Sequence, residues 1–190
     1  MLEMSALTLL EGRQGPELYA ALRNRGDTPA CHAAVSVELF DANEQSLAAS
    51  ISGLLTQAFF RLTDGSGTVA ACVGPGDVTM AALADFPTDI AIEDVAYVVY
   101  RCPYFALDVM PIEGLTVRDL KRVPLDVGIA YRGTLVNGLD VAVGQPSVTV
   151  FPINRIGRPL GVAMSRGTAE IAPGATWDFE TGDVDTTGVD

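Results

Sequence analysis

Strict alternation is the dominant hydrophobic pattern of the chain. Over residues 34–40, Val35, Val37 and Leu39 share one side of an extended segment while Ser36 and Glu38 take the other. This is the period-two signature of a half-buried β-strand. Related runs recur at 17–22, 69–72, 78–83, 95–100, 131–135 and 147–151. Turn-forming residues punctuate them: Asn24-Arg25-Gly26, Asp41-Ala42-Asn43, Asp64-Gly65, Gly74-Pro75-Gly76, Asn137-Gly138, residues 154–157 and Pro173-Gly174. Asp64-Gly65, set between 59–62 and 68–71, predicts a hairpin. Helical periodicity is weak: only residues 117–123 fit a short helix or turn, with Pro124 as its stop.

The landmarks occur twice in the same order, as expected of two diverged copies of one β-unit. Tyr19 and Asn24 are matched by Tyr131 and Asn137 with one residue of slippage, Phe40 and Asn43 by Phe151 and Asn154, and Pro75-Gly76 by Pro173-Gly174. The first copy is the longer, and the extra residues are expected to hold the 59–68 hairpin. A strand ending G-x-x-x-N, a strand V-x-V-x-Φ-F/Y-D and a PG turn, in that order, resemble the FxLYD-type and related bacterial immunoglobulin-like domains. The likeness covers about 19–83 and 131–179, and the second copy departs from it by carrying Pro152 where the pattern prefers Asp.

The expected fold is therefore all-β: tandem immunoglobulin-like antiparallel sandwiches over 1–110, with an inserted hairpin near 56–70, and over 111–190, with an acidic C-terminal tail. One larger sandwich shared by all strands is the alternative. Tyr19, Leu22, Val37, Leu39, Phe40 and Val98 are expected in the first core, and Leu135, Val148, Val150 and Trp177 in the second. What the resemblance implies for function is a noncatalytic module, envelope-associated or secreted; it supplies no functional residues to carry over, and fold likeness alone specifies no site.

Charge narrows the partners. The formal net charge of −12 disfavours nucleic acid, whose affinity comes mainly from Lys and Arg, and disfavours anionic membrane surfaces by the same sign. Lys121 is the only lysine, and Arg118, Lys121 and Arg122 form the one local exception. No apolar run approaches the ~20 residues of a membrane helix, so no membrane insertion is expected. The first residues lack the basic and apolar regions of a signal peptide, which fits a cytosolic protein or one whose signal has been removed.

Candidate chemistry is sparse. The three cysteines, Cys31, Cys72 and Cys102, show no CxxC spacing. A Cys31–Cys72 disulfide and three buried thiols are equally compatible readings. His32 is the only histidine, so a hydrolase would have to use it; its neighbour Cys31 points to the opposite face of an extended segment. Arg25-Gly26-Asp27 spells an integrin-binding tripeptide within a tight-turn sequence. Asp41 to Gln45 has alternate oxygen ligands but not the Gly and Glu of a calcium loop, and the tail brings Asp178, Glu180, Asp183, Asp185 and Asp190 as weak calcium candidates. Glu93 and Asp94 are adjacent and would diverge in a strand, and residues 64–68 lack the Lys of a phosphate loop.

These observations favour a noncatalytic binding or structural module with no cofactor. A calcium-dependent adhesive or carbohydrate-binding module and a hydrolase using His32 are the alternatives. The second copy has no counterpart of the strong strand at 95–100, which leaves a sheet edge to be covered by the linker at 107–117 or by another chain, as a protein partner or a homodimer.

Overall fold

The computed structural model describes residues 1–12, 15–53, 58–62, 69–106, 109–111 and 114–184. The fold is all-β, every strand pairing is antiparallel, and the chain divides into two compact units, Met1–Pro111 with Asn154–Pro159 and Ile112–Ile153 with Leu160–Asp190.

The first unit carries β1 (Leu2–Gly12), β2 (Gly15–Asn24), β3 (Ala30–Cys31), β4 (Ala34–Phe40), β5 (Ser46–Gly53), β6 (Ala58–Leu62), β7 (Val69–Val73), β8 (Val78–Leu83), β9 (Tyr97–Arg101), β10 (Phe105–Ala106) and β11 (Val109–Pro111). They form the sheets β1-β2-β8, β5-β4-β9 and β10-β3-β7-β6-β11. Leu18, Ala20 and Leu22 of β2 and Ala81 and Leu83 of β8 meet Val35, Val37 and Leu39 of β4 in one core. Alternation in β2 and β4 thus supplies facing apolar surfaces, each fully buried Leu or Val contributing about 1.5–3 kcal/mol.

The second unit repeats this plan in reduced form. β12 (Leu115–Pro124), β13 (Ile129–Asn137) and β16 (Thr176–Glu180) form one sheet, and β14 (Ser147–Val150) and β15 (Ala163–Arg166) the other. Leu135, Val148, Ile171 and Phe179 make its core, with Val150 and Trp177 packed against it.

Strand register shows how closely the units correspond. Leu2 faces Asn24 as Leu115 faces Asn137; Val37 faces Ser50 as Val150 faces Ala163. Arg23 faces Val78 as Val136 faces Thr176. One constant interval relates the copies from Leu2 to Ser50, and the interval shortens only beyond that point, where the first unit inserts β6. The overlay of Phe40 on Phe151 is therefore displaced: the counterpart of Phe40 is Ile153, and that of Asp41 is Asn154.

Several expectations are corrected. Residues 117–123 are not helical but lie in β12, paired with β13 through a register shift between Arg118 and Lys121, with Asp119 at φ 52°. The extra residue of that bulge breaks the two-residue period, which is why Val117, Leu120 and Val123 imitate helical spacing. Phe40 is not a core residue: it lies on the face of β4 opposite Leu39 and stacks on Tyr97 at 5.1 Å. Tyr19, by contrast, is buried as expected, on the face of β2 opposite Leu18 and Leu22; its hydroxyl donates to the Glu17 carboxylate, and burial pushes its pKa up. The linker does not cover the second unit's edge, because Val109–Pro111 pairs with β6 and Leu115–Pro124 with β13. Strands β6 and β7 pair antiparallel around the expected hairpin, whose Asp64-Gly65 turn lies outside the described residues.

Candidate functional site

Asn24 and Asn137 end equivalent strands and are completely buried. A buried amide must have its polar atoms matched. The Asn24 side-chain amide donates to the carbonyls of Thr28 (2.8 Å) and Val73 (2.9 Å), while its oxygen accepts from the Gly26 N–H (2.9 Å). Asn137 donates to Val141 (2.9 Å) and Ile171 (2.9 Å) and accepts from Leu139 (3.0 Å). The backbones close the same loop: Gly76 N–H donates to Asn24 O and Asn24 N–H to Asp77 O, as Gly174 donates to Asn137 and Asn137 to Ala175. Each asparagine thereby fastens the turn that follows its strand to a Pro-Gly turn distant in sequence. Gly76 and Gly174 take φ of 81° and 74°, the left-handed region glycine enters without steric cost.

The turns after β4 and β14 also correspond. The Asp41 carboxylate accepts from the N–H groups of Asn43 and Gln45 (2.8 Å each), and Asn154 accepts from Ile156 (3.1 Å) and Arg158 (2.9 Å). The backbone donors hold the Asp41 carboxyl below its ordinary pKa. Its oxygen ligands therefore serve the turn, and among the described residues no three His, Cys, Asp or Glu side chains are placed to hold a metal ion. Asp178 accepts a hydrogen bond from Thr134 (2.7 Å) and Glu180 pairs with Arg132 (2.6 Å); Asp185 and Asp190 lie outside the described residues.

The remaining candidates fall at separate places. Cys31 and Cys72 face each other across β3 and β7 and are disulfide-bonded, so the bridge joins neighbouring strands of one sheet. His32 is exposed at φ 48°, turning the chain between β3 and β4 beside a sulfur already held in the disulfide. Cys102 is a free thiol, half-buried, its pKa raised by desolvation. Arg25 of the Arg-Gly-Asp sequence is ion-paired with Glu3 (2.9 Å), and Gly26 belongs to the Asn24 turn. Arg118 and Lys121 are exposed on β12, but each rung ends in a carboxylate: Arg118 faces Thr134, which faces Asp178, and Lys121 faces Arg132, which faces Glu180. The first rung thus sets one carboxylate against one cation, and the second sets one against two, with Glu180 ion-paired to Arg132.

What stands open is backbone. Gly167 and Leu160 donate to the carbonyls of Pro146 (2.7 Å) and Pro152 (2.9 Å), so these residues direct their backbone groups toward the β15 side. Alternate residues of a strand face opposite sides, and Ser147, Thr149 and Phe151 consequently face away from β15. Both prolines turn their missing N–H toward β15 and leave that outer edge unblocked. In the first unit the equivalent side of β4 pairs with β9; among the described residues no strand pairs there with β14. Sequence reading anticipated a missing strand in the second unit but not that its place lies beside β14, because only the register ties the counterpart of β9 to β14.

No protein-family model matches the chain, and no curated protein matches it.

Proposed function

We propose that the chain is a noncatalytic binding module of tandem immunoglobulin-like, FxLYD-type character that works outside the cytoplasm and takes up an extended segment of a protein partner along β14. The observation that carries this reading is the open edge at Ser147, Thr149 and Phe151, on the side where β4 of the first unit holds β9. Strand addition draws affinity from main-chain hydrogen bonds and specificity from alternate side chains. Val148 and Val150 belong to or pack on the core, so the incoming strand should be apolar on that face, as β9 is with Val98 and Tyr100 opposite Leu39 and Val37. The disulfide is compatible with an oxidising compartment.

A peptide with the β9 sequence, residues 96–101, tests the reading. Amide exchange followed by NMR should slow at Ser147, Thr149 and Phe151 when the peptide is added, and Thr149→Pro should abolish the effect. Unchanged exchange at those amides at millimolar peptide would overturn it.

A further inference from the structure

In the first unit, among the described residues, no strand pairs with the outer side of β9. Natural sheet edges are usually blunted by bulges, charges or short length. β1, β12 and β5 each carry a register shift, β12 adds Arg118, Lys121 and Arg122, and β16 alternates with Asp178 and Glu180. β9 carries no bulge, pairing with β4 without a register shift over Tyr97–Arg101, and its one charge, Arg101, stands at its last position. Its apolar side chains are exposed as well, Tyr97 42%, Val99 43% and Tyr100 42%. Pro103 accepts from Ala34 N–H on the β4 side, so Tyr97, Val99 and Arg101 face β4 while Val98 and Tyr100 direct N–H and C=O outward.

The geometry points to a homodimer in which β9 pairs antiparallel with β9 of a second copy about a two-fold axis at Val99. The strand is self-complementary in this register and no other centre suits it as well. Val98 of one copy faces Tyr100 of the other, and these are the residues whose backbone groups point outward, so each such pair exchanges both its bonds. On the inner face Val meets Tyr; on the outer face Val99 meets Val99, and Tyr97 meets Arg101, an aromatic–cation pairing in place of two like charges. The two β5-β4-β9 sheets would become one continuous sheet, an isologous contact that closes on itself. The net charge of −12 on each chain opposes association, so added salt should strengthen the dimer. This interface uses only the first unit and stands independently of the β14 reading.

Light scattering of the full chain across concentration and salt tests the pairing, together with three variants. Val99→Lys sets two lysines face to face across the axis but places each opposite Glu38 within its own sheet, so the fold tolerates it. It should weaken dimerisation by about tenfold or more. Val99→Cys should give a disulfide-linked dimer on mild oxidation, because paired Cα atoms at a two-fold of this kind lie about 4.5 Å apart; wild type and Val98→Cys, both retaining Cys102, should not. Thr149→Lys, on β14, should leave the dimer unchanged. A monomer up to about 1 mM, cross-linking of Val98→Cys as fast as of Val99→Cys, or a dimer lost in Thr149→Lys yet kept in Val99→Lys would each overturn the assignment.

Discussion

Replacing Asn24 by Ala removes the amide that fastens two turns while leaving the strands it joins intact. The side chain is 0% exposed and makes hydrogen bonds with Thr28, Val73 and Gly26 at 2.8–2.9 Å. A typical hydrogen bond contributes about 1 kcal/mol net, but a buried partner left unmatched costs about 1–3 kcal/mol. With two carbonyls and one N–H orphaned, and water able to reach part of the Gly26 turn, the loss should be about 3–5 kcal/mol. Asn24→Asp sharpens the test: the carboxylate still accepts from Gly26 but cannot donate, and it sets a charge against the carbonyls of Thr28 and Val73. At pH 7 it should be at least as destabilising as Ala. Part of the loss should return on acidification, since protonation restores a donor. Asn137→Ala should cost a similar amount, read through Trp177, the single tryptophan, which packs on the second core. Urea denaturation followed by far-ultraviolet circular dichroism and by tryptophan fluorescence measures both. An Asn24→Ala stability within about 0.5 kcal/mol of wild type, as an ordinary surface substitution gives, would refute the view that this asparagine is the lock.

Three further outcomes are expected. Reducing the Cys31–Cys72 bridge, which spans 41 positions, should lower stability by about 4 kcal/mol on chain-entropy grounds; thiol titration of the unreduced, denatured chain should find only Cys102. The Asp41 carboxyl, held below its ordinary 3.8 in the folded state, adds stability that is complete above that value and is lost as pH falls through the lower folded pKa. Asp41→Asn, which copies Asn154, should keep the turn and remove that acid-sensitive part, seen as a smaller fall in melting temperature between neutral pH and pH values below 3.8. Glu44 sits at φ 63° where the second unit has Gly157 at φ 80°, so Glu44→Gly should raise stability by about 0.5–1 kcal/mol in the same denaturation assay.

The sequence by itself determined the all-β class and part of each core, among it Leu22, Val37, Leu39, Leu135 and Val148. Alternation is a local property, and in β4 it assigns Val35, Val37 and Leu39 to one face wherever that strand finally lies. Turn residues are local too, which is why Asn24, Asn137 and the two Pro-Gly pairs could be matched before any geometry was known. Tertiary structure decided what periodicity cannot carry. The bulge in β12 disguised a strand as a helix, Phe40 proved to belong to the outer face, and the overlay of the copies near Phe151 shifted, because each depends on how a strand registers with its neighbour. The open edges of β14 and β9 are of the same kind: an unpaired N–H is defined by the absence of a neighbouring strand, and neighbours are chosen by long-range pairing rather than by the residues of the strand itself.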